Sequence, residues 1–235
     1  MIVLKFGGTS VGNSTAIRRV GIIIKARLER APFVVVSAVG GVTDRLFELR
    51  DLSLQGQLWE ESLERLCGLH REILAELEID VQLVDGLLAE LKILLEEIAA
   101  AGECDGRALD HLVSFGERMS ARILAAHLQA EGIDSIAVDA FDAGLVTDGR
   151  PQRARPLDDV NSRIQEACKT LEGVVVATGY IARDEEGNIT TLGRGGSDTS
   201  AVALAAALKA ERCEIYTDVD GVYTCDPRIV VKARK

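Results

Sequence analysis

Three segments place phosphate-compatible chemistry at the ends of apolar runs: KFGGTS (5–10), GRGGSDTS (193–200) and TDVDGVYTCDPR (217–228). In the first, Lys5 is a mobile cationic point charge and Gly7 and Gly8 allow a ligand close to the backbone. Thr9 and Ser10 bring hydroxyls to the start of a helical pattern. In the second, Arg194, Ser197 and Asp198 surround two glycines just before the apolar helix AVALAAALKA. A guanidinium grips a carboxylate or phosphate with two parallel hydrogen bonds, and a helix N-terminus attracts the same charge. The third crowds Thr217, Asp218, two further aspartates, Tyr223 and Arg228 around a glycine turn. Plain structural alternatives stand beside each: a tight Gly-Gly turn with a solvated lysine, a helix capped by Ser197 or Asp198, and aspartates that only form a turn. The spacings GxxxxGK[ST] and GxGxxG do not occur, so neither standard nucleotide motif applies.

Two further patches belong with these. In VVVSAVGGVTDRL, Ser37 and Thr43 flank a Gly40-Gly41 turn between a strand and a helix, a cradle for a small polar ligand or an ordinary connecting loop. In SFGERMSARIL, Glu117 falls inside a helix beside Gly116, where a carboxylate is usually solvated or salt-bridged. His70, His111 and His127 lie in helical stretches without ligand spacing, so neither a metal site nor a catalytic triad is expected.

The elements that must position these residues alternate. Runs 1–6 and 33–37 read as buried strands, with Ile17, Val20, Ile24 and Leu28 at helical spacing between them, which makes a βαβ unit and a parallel sheet. Asn13 and Ser14 are candidate caps of that helix, and Pro32 separates its end from the second strand. Residues 43–130 read as almost wholly helical, a helical insertion. Strands follow at 136–138 and 174–177 with a loop over 147–159 between them, then a hairpin over 180–189, a helix over 200–210 and a strand over 213–217. With 235 residues and 47% hydrophobic composition the chain can bury a sizeable core. Its 37 acidic and 27 basic residues give a net charge of −10, which excludes the basic surface that nucleic acid or anionic membrane requires. Five cysteines without a CxxC pair fit a reducing cytoplasm, and no stretch approaches the about 18 apolar residues of a membrane span.

KFGGTSV, SAVGGVT, SFGER, GRGGSDTSA and TDVDGVYTCDPR together, in this order, resemble the aspartate kinases of the amino-acid kinase superfamily, over nearly the whole chain. The resemblance implies a three-layer αβα sandwich around a mostly parallel sheet, the carbamate kinase-like fold with a helical insertion. It implies ATP-dependent transfer of a phosphoryl group to L-aspartate, giving 4-phospho-L-aspartate, the first step toward lysine, threonine and methionine. Lys5 would offset charge on the transferring group, with Asp218 as the second catalytic residue. Gly7, Gly8, Ser10, Thr217, Asp218, Tyr223 and Arg228 would hold ATP with Mg²⁺. Ser37, Thr43 and Arg194 would meet the substrate carboxylates, Glu117 and Asp198 its ammonium, with Ser197 and Tyr180 alongside. By the same resemblance, 1–178 is the aspartate-binding portion, with the insertion at 43–130, and 179–235 begins the nucleotide-binding portion. The family's domain continues past DPR and usually carries ACT regulatory domains, so a catalytic domain incomplete at its C-terminus is expected, from an enzyme that forms homodimers. A kinase-like fragment that binds aspartate or nucleotide without transfer is the competing expectation.

Overall fold

A computed structural model describes residues 1–217 together with Thr224, Val230 and Arg234. In chain order the elements are β1 (Ile2–Phe6), α1 (Ser14–Lys25), β2 (Pro32–Val36), α2 (Val42–Leu54), α3 (Glu60–Glu76), α4 (Asp85–Ala101) and α5 (Gly106–Ala130). They continue with β3 (Ser135–Val138), β4 (Val146–Thr147), α6 (Val160–Cys168), β5 (Val174–Thr178), β6 (Ile181–Asp184), β7 (Ile189–Thr191), α7 (Gly196–Ala207) and β8 (Cys213–Tyr216).

Five strands form a parallel sheet in the order β3-β5-β2-β1-β8. Both of its faces are covered, which explains why β1, β2 and β5 are buried at every position and mostly apolar instead of alternating. Side chains still alternate in destination. Ile2, Leu4, Phe6, Val34, Val36 and Val176 enter a core built with α1 to α5, whereas Val3, Val35 and Ala177 enter one built with α6 and α7. Lys5 shares the parity of Val3, so this buried lysine emerges on the α7 side, opposite Val35 and Ile215 in register. The expected sandwich with a mostly parallel sheet is the observed architecture.

Asn13 caps α1, its side-chain oxygen accepting from the Ala16 N–H at 2.9 Å. Ser14 instead begins the helix and donates its hydroxyl to Glu76 on α3. Pro32 opens β2 rather than preceding it, at a first-residue position where its missing N–H is tolerated. The stretch expected as a loop over 147–159 contains the end of β4, and α6 follows it, anchored by Val160 and Ile164 at i, i+4. β4 joins β6 and β7 in a small second sheet, in which β6 and β7 form the expected hairpin. Asp184 closes its turn by accepting from the N–H groups of Glu186 and Asn188, and Gly187 supplies a φ of +94°.

α5 reaches the loop after β2 through a missing side chain: a Cβ on Gly116 would lie 2.7 Å from the Cβ of Ala38. Gly116→Ala should therefore cost stability despite a gain of about 1 kcal/mol in helix propensity, because overpacking typically costs about 1–3 kcal/mol. Thermal denaturation should show Tm lower by about 2–4 °C, with partial recovery when Ala38→Gly is added. An unchanged Tm, or no recovery in the double variant, contradicts the close approach.

Candidate active site

The carboxyl ends of β1, β2 and β5 open into one cleft of about 590 Å³. That is where parallel sheets with helices on both faces place ligands. β1 runs into Gly7 and Gly8, and β2 runs into residues 37–41. The two loops press backbone to backbone, a Cβ on Gly8 falling 3.0 Å from the carbonyl oxygen of Ala38. Gly179, after β5, meets Ser197 as tightly, its Cβ position being 2.7 Å from the serine Cβ.

Lys5 and Asp198 form an ion pair at 2.8 Å at the cleft wall, a charge contact rather than an aligned hydrogen bond. Two helices begin at the cleft with their first amides uncapped by any side chain. α7 starts after Gly195 (φ +74°) and α2 after Gly41 (φ +79°). Left-handed backbone at these positions favours glycine, and each helix start offers an anion its N–H groups and positive dipole end. The alternative in which Ser197 or Asp198 caps α7 is not what forms. Arg194 is exposed beside this start and makes no ion pair with a described residue.

Glu117 is the group of opposite kind. It is 4% exposed, and among the described residues its Oε2 has no hydrogen-bond partner and no cation pairs with it. Burial pushes its pKa up to about 8, against the smaller opposing effect of backbone N–H groups at Ala38 and at Glu117 itself. Tyr180 crosses the same cleft with φ +64° at the centre of a γ-turn closed by the Ile181 N–H on the Gly179 carbonyl at 2.6 Å. Positive φ at a tyrosine is strained backbone, held here by its surroundings. Burial raises the pKa of its hydroxyl, which is partnered by Thr191.

Lys5, Gly8, Ser37, Thr43, Glu117, Tyr180, Arg194, Ser197 and Asp198 thus all line one cleft, although they span almost 200 positions of chain. Gly7 lies next to Lys5, its Cβ position 3.4 Å from the lysine nitrogen. Ser10 and Thr217 line a smaller, separate hollow of about 240 Å³ with Phe6, Arg19 and Tyr216. Asp218, Tyr223 and Arg228 lie outside the described residues. Sequence reasoning missed the apolar wall of Phe47, Leu109 and Val113, and it missed Asp110. A signal existed, since Asp110 and Val113 precede Glu117 by seven and four residues and so share its helix face. Among the described residues no cluster of three or more histidine, cysteine, aspartate or glutamate side chains could hold a metal ion.

The profile of the amino acid kinase family matches residues 1–235. The chain is 39% identical to an aspartate kinase of Stutzerimonas stutzeri, over all of this chain and 46% of the relative. It is 35% identical to the chloroplastic aspartokinase 1 of Arabidopsis thaliana, over 98% of this chain and 42% of that one. The crystal structure of Escherichia coli aspartokinase III in complex with aspartate and ADP superposes with a TM-score of 0.84 at 34% identity, over all of this chain and 53% of that chain. The chain spans about half the length of the curated relatives it matches. On its sequence and its fold, it belongs to the amino acid kinase family.

Proposed function

We propose that this chain carries the aspartate site and the phosphoryl-transfer lysine of an aspartate kinase, which moves the γ-phosphoryl group of ATP to the side-chain carboxylate of L-aspartate. One observation carries the reading: a single cleft holds a buried carboxylate and a guanidinium, neither with an ion-pair partner among the described residues, and a lysine at a glycine loop. Those are the complements of an ammonium, a carboxylate and a phosphoryl group. The names of the relatives, and the aspartate and ADP in the E. coli structure, point the same way.

In this reading Glu117 receives the substrate ammonium, with Asp198 assisting, and Arg194, Ser37 and Thr43 receive the carboxylates. Ser197 lies at the start of α7 among these contacts, and Tyr180 packs beside the ligand. The attacking carboxylate is already ionised at neutral pH, since its ordinary pKa is about 3.9, so no strong general base is required. Its oxygen bonds to the γ-phosphorus while the bond from that phosphorus to the bridging oxygen breaks, and the electron pair leaves with ADP. Lys5 and the uncapped start of α7 offset the charge of the transferring group, and the rest is alignment. Ser10 and Thr217 serve the nucleotide side, together with Asp218, Tyr223 and Arg228. Mg²⁺ would enter with ATP as part of that substrate. Among the described residues no helix is long and apolar enough to cross a membrane, and four cysteines are unpaired. Both support a cytoplasmic enzyme.

The direct test incubates the full-length protein with ATP, Mg²⁺, aspartate and hydroxylamine, which traps an acyl phosphate as its hydroxamate. Aspartate-dependent hydroxamate is expected, and its absence contradicts the reading. Lys5→Ala should lower kcat by about 10²–10³, the usual loss for one transition-state charge contact, with the aspartate KM changing less than about threefold. Turnover within a factor of about two would remove Lys5 from the chemistry. Arg194→Lys should raise the aspartate KM by about tenfold or more, because an ammonium cannot reproduce the two-pronged grip and a charged hydrogen bond is worth about 1.5–3 kcal/mol. An unchanged KM would take Arg194 out of the aspartate site.

A further inference from the structure

Asp110 is fully buried, yet no described residue forms an ion pair with it. Its two oxygens instead accept from two segments far apart in sequence. The Gln152 N–H donates to Oδ1 at 3.1 Å and to Oδ2 at 2.9 Å, the Thr191 N–H donates to Oδ2 at 3.1 Å, and the Thr191 hydroxyl donates to Oδ1 at 2.8 Å. A carboxylate, which only accepts, suits a place where every neighbour is a donor. Burial raises its pKa, and these same donors pull it back.

What Asp110 holds is the base of the arginine loop. Thr191 ends β7, and Arg194 follows three residues later. Gln152 is a left-handed residue with φ +64°, a strained conformation that persists only where surroundings enforce it. The two held segments are also tied to each other, the Ala154 N–H donating to the Thr191 carbonyl at 2.9 Å. Next along the chain, Gly193 (φ +75°) packs its backbone on the Gln152 carbonyl, 3.0 Å from where a Cβ would be. The Leu192 N–H donates to the Tyr180 carbonyl at 2.9 Å. At its other end Asp110 is rigidly linked to Glu117, two turns further along α5 on the same face. The helix that presents the cation-seeking carboxylate therefore also sets the place of the loop that presents the anion-seeking guanidinium.

We propose that Asp110 is a positioning residue: by holding Gln152 and Thr191 it fixes the Arg194 loop relative to Glu117, and so sets the span between the carboxylate and ammonium contacts of the bound amino acid. This rests on the aspartate-kinase reading for the identity of the ligand, while the positioning itself does not. Asp110 touches no ligand in this account. It acts through Arg194, so its loss should show in substrate capture and selectivity rather than in the transfer step.

The test uses the full-length protein. Asp110→Asn replaces one acceptor oxygen with a donor facing donors. It should raise the aspartate KM about tenfold or more, with the ATP KM within about twofold and kcat within about threefold. Preference for aspartate over glutamate, one methylene longer, should narrow at the same time. Thr191→Val removes the hydroxyl that donates to Asp110 and partners Tyr180, leaves the Thr191 N–H in place, and should raise the aspartate KM by a smaller factor, about three- to fivefold, whereas Thr191→Ser, which keeps the hydroxyl, should restore it. These two variants carry the test if Asp110→Asn does not fold. Hydrogen exchange read by mass spectrometry supplies an arm independent of substrate. Peptides covering 189–196 should exchange at least about tenfold faster in Asp110→Asn, or in Thr191→Val if Asp110→Asn does not fold, while 1–6 and 174–178 keep their protection. If the unaltered protein makes no hydroxamate, the functional reading fails, and the exchange experiment still decides the positioning. Unchanged exchange at 189–196, an unchanged aspartate KM in an enzyme that turns over, or an equal rise in the aspartate and ATP KM values would overturn the proposal.

Discussion

A carboxylate kept out of water, with no counter-ion among the described residues, is the constraint around which this cleft is arranged. Isolated buried charge is costly, and a group in that position takes up a proton instead. Burial accordingly pushes the pKa of Glu117 up. Its geometry depends on features well outside the cleft. Gly116 lets α5 settle against Ala38, whose N–H is the main group favouring the ionised form, and Ala38 in turn lies against Gly8. Three backbones thus meet at van der Waals distance beneath the ligand space, with side chains absent where they would hold them apart.

That arrangement has a stability consequence with a definite sign. The folded pKa of Glu117 lies above its ordinary value of 4.5, so between pH 4.5 and about 8 the folded state binds more protons than the unfolded state. Stability contributed at this position therefore falls as pH rises through that window and is lowest above it. Other strained or unmet groups gather at the same place: the left-handed Tyr180 and Gln152, the uncapped starts of α2 and α7, and Asp198 held by a lysine intended for a phosphoryl group in our reading. Left-handed residues and uncapped helix starts also occur away from the cleft, at Ala31, Glu78 and Lys209 and at α3, α4 and α6, so what marks this place is their convergence around one ligand space.

Much of this was legible in the residues themselves. Apolar runs 1–6, 33–37 and 174–177 announced a sheet buried on both faces, and glycine pairs after two of them located the loops that meet in the cleft. The hairpin around Gly187 followed from turn chemistry alone. Less visible was α6, whose nine residues carry only Val160 and Ile164 as buried anchors and follow a polar stretch that reads as loop. β4 is two residues long and exists only because β6 pairs with it. Glu117 looked like an ordinary helix-surface acid, and nothing local distinguishes it. Its burial comes from a neighbour 79 positions earlier, through Gly116. Asp110 was hidden for the same reason, its partners lying 42 and 81 residues away.

The central claim is that the ligand's ammonium completes the charge of Glu117, and proton release on binding tests it most directly. Calorimetric titration of aspartate at pH 7, repeated in buffers of different ionisation enthalpy, gives the number of protons exchanged per ligand bound. With Glu117 mostly protonated in the free protein and ionised beside an ammonium, close to one proton should leave per aspartate bound, and Glu117→Gln should reduce that number to near zero. Binding of aspartate with no proton released by the unaltered protein, or with the same release from the Glu117→Gln variant, would contradict the account.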